Sequence, residues 1–219
     1  MTDERETKLS AARTRLILDR PFLGALVLRM PMQEADPRWC KTIGTDARAF
    51  YYNPEYIASL SLEQTQFALA HEALHCALSH FARREHRVRE RWDIACDLAI
   101  NPILIKEGMT AVPGALYNIG YEGMMAEEIY PLVKENEEEQ PHDEHLYGND
   151  SQRSGDSGTA DAPQPDEVDA TGDSGGSGAG QGAAAAPPEP LSEAEKEQLS
   201  IQWRQRLAGA AQQAMQAGK

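Results

Sequence analysis

A chain of 219 residues with 41% hydrophobic content is long enough for one domain of ordinary size with a real core. Its formal net charge of −14 is unevenly placed: fourteen acidic residues and one arginine fall between Glu135 and Pro190, leaving the rest close to neutral. No basic patch of the kind that polyphosphate requires is present, which excludes nucleic acid as a partner.

In chain order, Asp3 to about Arg20 reads as a helix, with apolar residues at mixed three- and four-residue steps, stopped by Pro21. "MTDERETKLSAARTR" is charged and lacks the apolar stretch of a secretory signal. "PFLGALVLRM" is too short to span a bilayer, which takes about 20 apolar residues. Cys40, Cys76 and Cys96 are odd in number and show no paired spacing. A disulfide framework and an all-cysteine zinc site are therefore not expected, and a reducing compartment is. Together these features predict a cytoplasmic protein with no membrane association.

"FLGALVLRMPM" and "CKTIGTDARAFYYN" are rich in branched and aromatic residues between turn formers. They predict strands of a small antiparallel sheet, and an edge strand from "ARAFYYN" could align a substrate by backbone pairing. "NPEYIASL" predicts a turn and a short helix. Ser61, with Gln64 three positions on, opens a long helix expected to reach about Arg84. A second helix is expected from about Arg91 to Ile100, with Pro102 breaking it or starting another. "YEGMMAEEIYPLVKEN" predicts one more short helix. The fold class is α+β, mostly helical with a small antiparallel sheet.

From Glu135 to Pro190 the composition turns to Gly, Ser, Asp, Pro and Ala. Such a segment buries too little apolar surface to offset its ordering entropy, which predicts a disordered linker over 135–190. Residues 191–219 then predict a C-terminal amphipathic helix. Ser192 with Glu195 forms its capping box, and Leu199, Trp203, Leu207 and Ala211 form an apolar stripe that must dock on something.

The chemistry lies in "FALAHEALHCALSH". His71, Glu72 and His75 form H-E-x-x-H, and residues four apart on a helix are separated by about 40° of rotation. Both imidazoles can therefore reach one ion about 2.0–2.1 Å from each nitrogen. Glu72, rotated by about 100° from His71, can stand beside the ion without binding it. There it can take a proton from a zinc-bound water, as a general base.

A hydrolytic zinc site wants three protein ligands and one open position. His80 points about 140° away from His75 and reads as a supporting or structural histidine. The extended signature with a third histidine needs His at 81 and Gly at 78, but Phe81 and Leu78 stand there, so that class is excluded. In "RWDIACDLAIN", Asp93, Asp97 and Asn101 share one face of an otherwise apolar helix, where an acid needs a partner. Asp97 is the expected third ligand, and Asp93, near the helix start, is the alternative. Asn101 either orients a ligand or caps a helix begun by Pro102. Cys76 and Cys96 read as small buried thiols, and His86, His142 and His145 as unliganded. Tyr117 and Tyr121 could offer a hydroxyl to a developing oxyanion, with packing the default.

"YYNPEYIASLSLEQTQFALAHEALHCALSH", "RWDIACDLAINPIL" and "GMMAEEIY" resemble the bacterial metallopeptidase domain that commonly precedes a von Willebrand factor A-like domain. The likeness covers roughly Pro21 to Val133 and the helix around Trp203. It implies a zincin-like fold over residues 1–134, with Zn2+ on His71, His75 and Asp97 and with Glu72 as catalytic base. It also makes an AAA+ ATPase or an A-like domain a plausible partner, although the sequence ends at "QAMQAGK" where such a domain would be expected. The expected activity is peptide-bond hydrolysis of a protein or peptide substrate. The rival is a metal-stabilised interaction module without turnover; the presence of Glu72 favours the enzyme, since a structural site needs no base.

Overall fold

The computed structural model of the chain describes residues 2–133, 141, 143–146 and 186–217. It is α+β and mostly helical. Helix α1 (Thr2–Asp19) and α2 (Pro21–Val27) lead into strands β1 (Met32–Glu34), β2 (Ile43–Thr45) and β3 (Phe50–Tyr52). Helices α3 (Pro54–Ser59), α4 (Leu62–Ala77), α5 (His80–Arg83) and α6 (Arg89–Lys106) follow. A 3-10 turn (Ile119–Tyr121), α7 (Ala126–Ile129), strand β4 (Glu144–His145) and the long α8 (Glu193–Ala217) complete the order. No helix among the described residues is long and apolar enough to cross a membrane.

Helix α4 is the axis of the core, with α1, α2, α6, α8 and β2 packed around it. Its start is fixed locally: Ser61 Oγ accepts from Gln64 N at 3.1 Å and Gln64 Oε1 accepts from Ser61 N at 2.9 Å. These bonds satisfy amides that would otherwise be left over at a helix start. The helix ends sooner than its sequence implies. Ser79 takes up left-handed backbone (φ 54°), and α5 restarts in a new direction.

Two further expectations about helices are corrected here. "PFLGALV" is helical, because Pro21 sits in the first turn, where its missing N–H costs nothing. Leu23, Leu26 and Val27 are buried at helical spacing. Gly24 lets α2 close on α1: a Cβ there would lie 2.5–2.7 Å from backbone atoms of Leu16 and Ile17. Helix α6 runs through Pro102 to Lys106, so Pro102 neither breaks it nor starts another. An interior proline costs about 3 kcal/mol, offset here by burial of Ile100, Pro102 and Leu104.

The sheet is mixed rather than antiparallel, in the order β1-β3-β2-β4. Strands β2 and β3 form an antiparallel pair, while β1 runs parallel to β3 and β4 parallel to β2. Strand β3, from "ARAFYYN", is therefore flanked on both sides and is no edge. Most of the segment 135–190 lies outside the described residues. Within it, Asp143 is buried and Glu144–His145 pair with β2, which the linker reading did not anticipate for these positions.

Helix α8 docks its stripe through Trp203, fully buried, with Leu199 and Leu207 half-buried beside it. The indole Nε1 donates to the Ala47 carbonyl at 3.0 Å. Its capping box is present, with Ser192 Oγ accepting from Glu195 N at 3.3 Å and Glu195 Oε2 accepting from Ser192 N at 2.9 Å. Trp203→Ala should lower unfolding stability by about 3–5 kcal/mol, the usual cost of emptying a buried aromatic site. Denaturant melts followed by circular dichroism test this, and a loss under about 1 kcal/mol would mean that α8 is not part of the core.

Candidate metal centre

His71, Glu72 and His75 project from the buried middle of α4, each with no solvent exposure. The Nε2 atoms of His71 and His75 lie 2.8 Å apart, as the four-residue step allows. Helix α6 brings Asp97 alongside, with Oδ1 at 3.4 Å from His71 Nε2 and 3.2 Å from His75 Nε2. Asp97 is fully buried, as is Asn101 one turn on. A fourth donor comes from the chain entering β4: Asp143 Oδ2 is 3.5 Å from His71 Nε2 and 3.9 Å from His75 Nε2.

The outer contacts fix which nitrogens face inward. Asn101 Nδ2 donates to the Leu116 carbonyl at 2.8 Å, so its Oδ1 is the atom facing His71 Nδ1, 2.9 Å away. His71 Nδ1 therefore carries a hydrogen, and Nε2 is the nitrogen that offers its lone pair to an ion once its proton is lost. Asn101 sits inside α6, caps nothing, and bridges the His71 ring to the Leu116 carbonyl. His80 Nδ1 lies 3.2 Å from His75 Nδ1. The left-handed turn at Ser79 brings it there, where an unbroken helix would have aimed it away. Trp92 holds His80 in turn, its ring edge-on at 6.0 Å and its Nε1 donating to the His80 carbonyl at 3.3 Å.

Does this group fit a metal ion? For tetrahedral coordination at about 2.0–2.1 Å, neighbouring donors should lie roughly 3.3 Å apart. The donor atoms of His71, His75, Asp97 and Asp143 lie within 4.8 Å of one another, and four of the five separations above are within half an ångström of that spacing. Two imidazoles with two carboxylates suit a first-row divalent ion. Charge argues the same way. Burial alone pushes the His71 imidazolium down, yet the Asp143 and Asp97 carboxylates outweigh it and raise its pKa to about 10. The centre is built to hold positive charge.

Glu72 lies outside this ligand group. Its charge acts on Cys40, on Tyr56 of α3 and on Cys76. Tyr56 was not singled out in the sequence, where nothing distinguishes it from packing. Its hydroxyl is buried, with no hydrogen-bond partner among the described residues. Burial first, and then the charges of Glu72 and Asp143, push its pKa well up, so it stays protonated and able to donate. Tyr117 and Tyr121 make other contacts: Tyr117 bonds exposed Glu122 at 2.8 Å, and Tyr121 packs against an apolar cluster that includes Trp92, Ile94 and Ile129.

Asp93 faces Arg89 at 3.6 Å and lies outside the ligand group. Cys96 approaches His75 and His80, but burial, with Asp93 and Asp97 adding to it, pushes its thiol far up. Cys76 is likewise raised by burial and sits 3.4 Å from Thr45 Oγ1. Both are buried free thiols, as expected. His86 is exposed, His142 lies outside the described residues, and His145 contributes backbone to β4.

The family model described as "Putative metallopeptidase domain" matches residues 4–219, nearly the whole chain. A Thermotoga maritima protein, named "Uncharacterized protein", is 36% identical over 91 residues, covering 35% of this chain. The match spans 23% of that relative's length. No solved structure matches the chain.

Proposed function

Because the chain belongs to this metallopeptidase-domain family, we propose that it is a zincin-like, zinc-dependent peptidase acting on protein or peptide substrates. The observation that carries the reading is the convergence of His71, His75 and Asp97 on one point, with Glu72 buried beside them but outside the ligand group. Zinc there would supply Lewis acidity, lowering the pKa of a water and polarising the scissile carbonyl.

The chain's own residues do the rest. Asn101 and His80 hold the two imidazoles with Nε2 inward. Glu72 accepts a proton from the attacking water as its oxygen bonds to the carbonyl carbon. It then delivers that proton to the leaving nitrogen as the C–N bond breaks. The Tyr56 hydroxyl donates towards the negative charge that develops on the carbonyl oxygen. Helix α8 offers a surface to an AAA+ ATPase or A-like partner, and the cytoplasm suits the three free cysteines.

One observation favours a second reading. With Asp143 the centre has four protein donors, as closed structural sites do, which would make the domain a metal-stabilised interaction module. Metal removal decides between them. The purified chain should carry about one zinc, as a single four-donor site requires, and should cleave an unfolded, fluorescently labelled protein. Chelation should stop cleavage and added zinc restore it. Full zinc loading with no cleavage, by both the unaltered chain and Asp143→Ala, would leave the module reading standing.

A further inference from the structure

The four donors are not held alike. Asp97 belongs to an 18-residue helix running through the core, and its oxygen is 3.2–3.4 Å from the two nitrogens. Asp143 stands further out, at 3.5 and 3.9 Å. It is carried by a strand of two residues that pairs in parallel with β2, Gly44 opposite Glu144 and Thr45 opposite His145. Leu146 N donates to the Thr45 carbonyl at 3.0 Å. Parallel pairing is the weaker kind per residue, and two residues supply little of it.

The slot itself is made for main chain. Strand β2 is paired with β3 on its other side, so the β4 side is the edge of the central hairpin that faces the metal centre. A Cβ added at Gly44 would lie 2.2 Å from the Glu144 carbonyl oxygen and 2.7 Å from Glu144 Cβ, and its three nearest atoms all belong to Glu144. Glycine at this point of β2 therefore serves the close passage of another backbone. A site for a small solute would need side-chain donors here; a bare strand edge with glycine in it suits an extended polypeptide.

We infer that residues 143–146 are a resident occupant of the peptide-binding slot beside β2, with Asp143 filling the coordination position that hydrolysis requires. The substrate is then an extended polypeptide strand that displaces β4 from β2 and takes over its backbone pairing. This rests on the peptidase reading and adds to it a binding edge, a substrate conformation and a built-in block.

The test uses the full chain loaded with Co2+ in place of zinc, with metal uptake and acetohydroxamate binding both followed in the visible absorption of the ion. A protein whose binding-competent state is only fractionally populated binds its ligand more weakly by that fraction. Asp143→Ala and Gly44→Ala, which crowds out Glu144 without touching a ligand, should each keep Co2+. Each should bind acetohydroxamate at least about tenfold more tightly than the unaltered chain. If Asp143→Ala fails to fold, Gly44→Ala decides. Unchanged hydroxamate affinity in folded, metal-loaded variants overturns the occupant and leaves the peptidase reading intact. Loss of Co2+ from folded Asp143→Ala also overturns it, since Asp143 would then be a structural ligand. An unaltered chain that takes up no Co2+ overturns both.

Discussion

Glu72→Gln should leave metal content unchanged and lower peptide-bond cleavage by about 10²–10⁴-fold, the range that a positioned acid or base contributes. Glutamine keeps the size of the side chain in a fully buried position and removes its capacity to take a proton. Glu72 is not among the residues whose donor atoms converge, so the metal should not register the change. Metal analysis and kcat on the same preparation separate the two effects. Cleavage surviving in the glutamine variant would remove the base from the mechanism.

His75→Ala should reduce zinc affinity by more than the roughly 10–100-fold that altered outer partners cost. It deletes a donor near both His71 Nε2 and Asp97 Oδ1, and leaves one imidazole of the four-donor group with its two carboxylates, a poorer donor set for zinc. Asn101→Ala, which removes the orienting acceptor and leaves every donor in place, should fall within the 10–100-fold range and serves as the internal comparison. Competition against a chromophoric chelator measures both. The pH dependence has a definite sign. With His71 raised to about 10 by Asp143 and Asp97 against the opposing burial, the metal-free centre carries a proton at neutral pH. Metal must expel it, so apparent affinity should rise as pH rises towards that value. Equal losses in the two variants would mean that His75 is no ligand.

What could be read in advance was whatever depends on neighbours along one helix. The step from His71 to His75, the offset of Glu72 and the cap at Ser61 are properties of a 3.6-residue period and appear in the sequence as spacing. Asp97 could be proposed because an acid amid Trp92, Ile94 and Leu98 must have a reason to be buried. Asp143 offered no such contrast. It stands among acids and small residues, and it is carried into the core by the pairing of Glu144 and His145 with a strand about a hundred positions earlier, which no local pattern encodes. Helix α2 carries branched and aromatic residues of the kind enriched in strands, and its tight packing on α1 through Gly24 decides for helix. His80 needed the left-handed residue at Ser79, a conformation that serine seldom adopts.

The turn joining β2 to β3 is tied to the far end of the chain. Ala47 accepts from Trp203, and Arg48 reaches the Glu189 carbonyl at 2.6 Å and Glu195 at 3.4 Å. A pull on the last helix would therefore be borne by the hairpin that packs against α4 beside the metal-ligand cluster, giving any tethered machine a mechanical handle on it.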